Sequence, residues 1–237
     1  MPNNYFRFKQ FTVMHDRCAM KVGTDGVLLG AWTDVNHAIR IMDVGTGSGL
    51  IALMLAQRNV NAVIDTVEID ADAACQANEN FSHSPFVNIN PCKESSFQQF
   101  AAETTSKYDL IVSNPPFFHR SLKSPDDKRS AARHTDSLLI EDFIALSAQL
   151  LSNDGRISFI FPASDKDYLI QTAKENNLHL ARLTTVYPTS GSEPKRVLME
   201  LSKHEAETSY SDLIIENARH VYSEEFTRLV KDFYLKL

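Results

Sequence analysis

A chain of 237 residues is about one large domain, long enough to bury a substantial core, so no second domain is required. With 43% hydrophobic and 23% charged residues the composition is that of a soluble globular protein, and no apolar run is long enough to span a bilayer. A formal net charge of −6 argues against coating nucleic acid through nonspecific phosphate contacts, and the N-terminus lacks the basic-then-apolar layout of a secretory signal, so a cytoplasmic location without a membrane partner is expected.

In chain order, residues 1–40 are locally basic, with Arg7, Lys9, Arg17, Lys21 and Arg40 against Asp16, Asp25 and Asp34. From 40 to 202 short apolar runs alternate with helix-like stretches, the pattern of an α/β protein with a parallel sheet covered on both faces. Strands are predicted at 39–44, 62–68, 87–90, 108–113 and 156–161, and helices over 50–57 and 72–81, each opening after a cluster of Gly, Asp or Ala. The segment 116–137 is long, polar and aperiodic, as functional or disordered loops are, and carries Arg120, Lys123, Lys128, Arg129 and Arg133 against Asp126 and Asp127. Ile140, Phe143, Ile144, Ser147 and Leu151 outline a helical face over 140–151, with Asn153-Asp154-Gly155 as its stop. A helix over 164–176 precedes strands at 178–187 and 195–202, whose turn-rich connector predicts an antiparallel hairpin closing the sheet. Residues 223–237 read as an amphipathic helix, with Ser223 as N-cap and Phe226, Leu229, Val230 and Phe233 on one face. Cys18, Cys75 and Cys92 are odd in number and widely spaced, which argues against a disulfide framework or a zinc site, and no metal is expected.

Three motifs carry chemistry. The run Asp43-Val44-Gly45-Thr46-Gly47-Ser48-Gly49 sets a strand against a glycine turn that leads into a helix, where missing Cβ atoms let backbone approach a ligand. A dinucleotide fingerprint would need glycine where Leu50 stands, and the Lys of a P-loop is absent. At the tip of the next strand Glu68 can accept hydrogen bonds from both hydroxyls of a ribose. Asp70 or Asp72 would cap the following helix, and Asp43 would either hold the N–H groups of the loop or bind an ammonium group of the ligand.

The third motif, Asn114-Pro115-Pro116-Phe117, falls at the carboxyl end of a predicted strand, the edge at which open α/β sheets bind ligands. The prolines stiffen the backbone, so that the Asn114 side-chain oxygen and the Pro115 carbonyl can accept from the two N–H bonds of one amino group. A conjugated amine so gripped is drawn towards tetrahedral geometry and offers its lone pair to an electrophile. Phe117 can stack on the planar acceptor. No dedicated general base is required.

Together these motifs resemble the class I, Rossmann-like methyltransferases of the amino-methylating kind. The resemblance implies a seven-stranded, mostly parallel sheet with a reversed last strand, and S-adenosyl-L-methionine held by Asp43, Gly45, Thr46, Gly47, Gly49, Glu68, Ile69 and Asn114. The stretches 6–13 and 15–32 are similar to the family of bacterial tRNA(Val) adenine-N6 methyltransferases, over nearly the whole chain. That implies a single methyltransferase domain with a covering segment at 1–38, a catalytic core at 39–203 and an extension at 204–237. It also implies contacts from Thr24 and Asp25 near the methionine end of the cofactor, and methylation of the adenosine at position 37, beside the anticodon. Many relatives carry an acidic residue near the adenine; here Lys93 stands at that place, and the contact is expected from backbone groups around Cys92–Glu94. Arg7, Lys9, Arg17 and Lys21, with the five basic residues of 120–133, are expected to hold phosphates of the tRNA anticodon loop around the pocket mouth. His119 and His134 either join them or are ordinary polar loop residues. The same motifs admit a protein glutamine amide or a guanine N2 as acceptor, or a non-catalytic RNA-binding module.

Overall fold

The computed structural model describes residues 3–117 and 138–237. The chain opens with a small hairpin, β1 (Tyr5–Arg7) and β2 (Thr12–Met14), followed by α1 (Thr24–Trp32), β3 (Arg40–Val44), α2 (Leu50–Arg58) and β4 (Val63–Glu68). Next come α3 (Ala71–Ser82), β5 (Lys93–Glu94), α4 (Phe97–Glu103) and β6 (Tyr108–Ser113). After 118–137 follow α5 (Ile140–Leu150), β7 (Leu151–Pro162), a 3-10 turn (Ala163–Asp165), α6 (Lys166–Glu175), β8 (His179–Thr189) and β9 (Arg196–Ser202). The chain ends with β10 (Ser209–Ala218), β11 (Val221–Tyr222) and α7 (Glu224–Val230).

One sheet runs in the order β11-β10-β8-β9-β7-β6-β3-β4-β5. Its seven strands from β8 to β5 are the expected arrangement, with β9 antiparallel to both β7 and β8 and the remaining pairs parallel. Period-2 side-chain alternation gives each face its own core. Ile41, Leu110, Val112 and Leu198 face α1, α2, α3 and α7, whereas Met42, Ile111, Met199 and Leu201 face α4, α5 and α6.

Several elements depart from the sequence reading. A third strand was expected at 87–90; the structure has one bridge, Ile64 to Ile89, and the paired strand is β5. Pro85 and Pro91 bracket that stretch and Val87 is 99% exposed, so only Ile89 has an apolar reason to dock. Asn153-Asp154-Gly155 does not end a helix but bulges within β7, between the pairs Tyr108–Leu151 and Leu110–Arg156. Gly155 is required there, since a Cβ would sit 2.6 Å from the Tyr108 carbonyl oxygen. The last helix stops at Val230 instead of reaching 237, because the chain turns back to bridge Tyr234 to Phe8. Residues 204–237 are not an appendage: β10 lies parallel to β8 and extends the sheet to nine strands. Two helices escaped prediction: α4, and α1, whose residues 26–32 are all buried and leave no polar stripe to read.

Candidate active site

The carboxyl ends of β3, β4 and β6 lie side by side, with Val44 in register with Val67 and with Ser113. The Val67 carbonyl accepts from the N–H groups of Gly45 and Thr46 at 2.9 and 3.1 Å, folding the chain after β3 across the tip of β4. Gly45 and Gly47 take φ values of +67° and +54°, and a Cβ on either would project into open space. Gly49, at +82°, is needed for a different reason: its Cβ would collide with the Phe81 ring at 2.4 Å.

Two carboxylates hold this loop. Asp43 is fully buried, and its Oδ2 accepts from the Thr46 hydroxyl at 2.5 Å and the Ala52 N–H at 3.1 Å, stapling the loop to α2. Burial pushes its carboxyl up to about 7, the two hydrogen bonds pull the other way, and the charge of Glu68 adds to the rise. Glu68 accepts from Gly47 N at 2.8 Å through Oε2, and from Ile69 N and Asp70 N at 2.8 and 3.0 Å through Oε1. A carboxylate has about four acceptor sites, so three are spent on backbone and one remains where the sequence suggested a free pair. Asp70, not Asp72, caps α3, accepting from Ala73 N at 2.9 Å.

A cavity of about 860 Å³ opens in front of the loop, bounded by residues 18–26, the loop and first turn of α2, the end of β4, residues 95–98, residues 113–116 and Leu138. Its size is within the range of about 300–1,000 Å³ common for cofactor sites. Of the expected cofactor residues, Thr24, Asp25, Gly45, Thr46, Gly47, Glu68, Ile69 and Asn114 line it. Asp43 and Gly49 stand behind it, bracing the loop. Lys93 and Glu94 do not line it, because both are taken up pairing with β4, and Lys93 turns out to meet Glu103 at 2.6 Å; Ser95–Gln98 present the next turn instead.

At the end of β6, Pro115 is buried and the Asn114 Oδ1 is buried with no donor among the described residues. Phe117 rests edge-on against Phe161, centroids 5.2 Å apart. Arg196 at the start of β9, which the sequence reading passed over, places its guanidinium 4.7 Å from the Phe117 centroid and its Nε 2.8 Å from Asp25 Oδ2. No short-range motif could have flagged it, since its partners lie at positions 25 and 117.

The N-terminal segment is bolted beside the cavity. Asn80 on α3 accepts from Met14 N and donates to the carbonyls of Met14 and Ser48. The buried His15 accepts from Val22 N through Nδ1, which leaves Nε2 to donate to Asn3 O. Among the basic residues expected at the mouth, Lys21 lines the cavity, Arg17 pairs with Glu79 at 2.9 Å, Lys9 donates to Lys231 O, and Arg7 is exposed on β1. Arg120, Lys123, Lys128, Arg129 and Arg133, with His119 and His134, lie outside the described residues.

Residues 20–168 match the family model of the methyltransferase small domain. The chain is 51% identical to a tRNA1(Val) (adenine(37)-N6)-methyltransferase of Parabacteroides distasonis and 50% identical to one of Phocaeicola vulgatus, each alignment covering all of both chains. Among solved structures, a predicted O-methyltransferase of Agrobacterium tumefaciens superposes with a TM-score of 0.64 at 19% identity, covering 88% of this chain and 96% of that one, a likeness of fold alone. Identity of one half from end to end is far beyond what a shared fold requires, and the chain belongs to the methyltransferase small domain family and, within it, to the family of bacterial tRNA1(Val) (adenine(37)-N6)-methyltransferases.

Proposed function

We propose that this protein transfers a methyl group from S-adenosyl-L-methionine to the exocyclic N6 amine of the adenosine at position 37 of tRNA(Val), next to the anticodon. The observation that carries the proposal is the Asn114 Oδ1: a buried acceptor without a donor among the described residues, at the edge of a cavity with open space in front of Gly45 and Gly47. An unpaired buried acceptor costs about 1–3 kcal/mol, which an incoming N–H would relieve. The residues fit the cofactor. Gly45, Thr46 and Gly47 offer it backbone, Glu68 keeps an acceptor site for a ribose hydroxyl, and Ser95–Gln98 border the same space.

When bound, the cofactor supplies an electrophilic methyl on a sulfonium. Asn114 Oδ1 and the Pro115 carbonyl hold the two N–H bonds of the amine, so the nitrogen lone pair is aimed along one direction, and the prolines keep the acceptors from reorganising. Phe117 carries the flat face of the base. Water takes the proton from the methylated amine. An adenine in an anticodon loop must turn out of its stack to reach this site, which costs less than leaving a duplex. Lys21 at the cavity, with Arg7, Lys9, Arg17 and the basic residues of 120–133, is assigned to phosphates of that loop.

Incubation with labelled S-adenosyl-L-methionine and total tRNA, followed by nucleoside mass spectrometry of purified tRNA(Val), tests the reading. N6-methyladenosine at position 37 is expected, and Asn114→Ala should lower kcat by about 10²–10³ while cofactor still binds. Label recovered in protein alone would overturn it in favour of a glutamine amide, and label in guanine in favour of N2.

A further inference from the structure

We propose that Arg196 is a positioning residue for the acceptor base: it backs one face of Phe117 and ties that ring to Asp25 on the cofactor side of the cavity. The inference rests on the reading of Asn114–Phe117 given above and extends it to a residue eighty positions away in sequence.

Arg196 is fixed by the sheet. It opens β9, in register with Pro162 of β7 on one side and Val186 of β8 on the other, so its Cα cannot drift. From there Nε reaches Asp25 Oδ2 at 2.8 Å, Nη1 donates to Lys195 O at 3.0 Å, and the guanidinium carbon lies 4.7 Å from the Phe117 centroid. Phe161, fully buried, meets the same ring edge-on at an interplanar angle of 78°. Among the described residues, with one face held by the cation and an edge held by Phe161, Phe117 has one face left for a flat acceptor. Its ring plane is thereby set before the base arrives.

The ion pair gives the arrangement a second function. Asp25 stands in the first turn of α1 and lines the cavity, so the same guanidinium spans the segment beside the cofactor and the platform beside the acceptor. A lysine would keep the charge towards Asp25 but has no planar face to lay on a ring. Arg196→Ala and Arg196→Lys therefore separate the two functions.

The test is a double-mutant cycle in the full-length protein, scored by steady-state methylation and by fluorescence of an anticodon stem-loop RNA carrying 2-aminopurine at the target position, with S-adenosylhomocysteine bound. Arg196→Ala should lower kcat/KM for tRNA about tenfold, with the dissociation constant of the cofactor product changed by less than about threefold. Arg196→Lys should restore the melting temperature but not the aminopurine quenching that stacking on Phe117 produces. On a Phe117→Ala background, Arg196→Ala should add less than about twofold, because the ring it positions is gone. Full additivity of the two losses, full rescue by Arg196→Lys, or an Arg196→Ala protein with wild-type quenching and kcat/KM would each refute the inference. If the wild type methylates protein instead, the tRNA reading falls, and the same cycle, scored on that protein, decides the inference by the same non-additivity.

Discussion

Asp43 is a carboxyl group with no solvent contact whose Oδ1 has no hydrogen-bond partner among the described residues, and it holds the turn that borders the cavity. Its value of about 7 stands above the roughly 3.9 of an unfolded Asp. The folded protein therefore binds that proton more tightly than the unfolded chain, so the stability this group contributes is full below about pH 4 and is lost as pH rises through about 7. Asn at this position has no charge to bury. The melting temperature of Asp43→Asn relative to wild type, recorded from pH 5 to pH 8, should rise across the series; a flat or falling difference would mean that Asp43 is ionised without penalty. Glu68 shows how far a residue type can be read from sequence. A carboxylate at the tip of the second strand was legible, but its three backbone N–H partners were not: Ile69 and Asp70 turn back onto it directly after the strand, and Gly47 reaches it from a loop whose path depends on Gly45 and Gly47 adopting positive φ.

At the scale of elements, α3 has two jobs. One face packs Ala74, Ala77 and Phe81 into the core, and Asn80 joins β2 to the loop after β3 through three hydrogen bonds while being 2% exposed. Asn80→Ala strands the Met14 N–H and two carbonyls. A loss of about 2–4 kcal/mol of unfolding free energy is expected, together with faster amide exchange over residues 5–14. Unchanged protection of those amides would show that the hairpin is held without Asn80, by the packing of Phe8, Phe11 and Val13 into the core and by its contacts with Phe233, Tyr234 and Phe86. The helix over 72–81 was legible because Asp70 caps it and its apolar face is one-sided, and the helix over 50–57 because the glycine turn opens it, although all of 50–56 is buried. The 7-residue α4 was not, being short and flanked by polar residues, and neither was the short β5, which exists only because β4 offers it an edge.

For the molecule as a whole, the final thirty-odd residues belong to the fold. Phe226, Val230 and Phe233 are buried in the same cluster as Phe8, Phe11 and α1, and β10 covers the edge of β8 with Leu213 turned inward. A chain ending at Lys203 should expose this apolar surface, bind a hydrophobic dye and lose its near-ultraviolet circular dichroism; a sharp thermal transition at the wild-type temperature would show 204–237 to be dispensable. The sequence by itself determined the alternation of strands and helices, the glycine turn, the acidic strand tip and the Asn-Pro-Pro-Phe tetrapeptide at the end of β6, since each is encoded by neighbours within a few positions whose side-chain period or backbone freedom is local. Only the tertiary structure decided that Arg196 meets Asp25 and Phe117, that Lys93 turns away to Glu103, and that the C-terminal residues extend the sheet. Those contacts join residues far apart in the chain, and their energy depends on distances that no local pattern encodes.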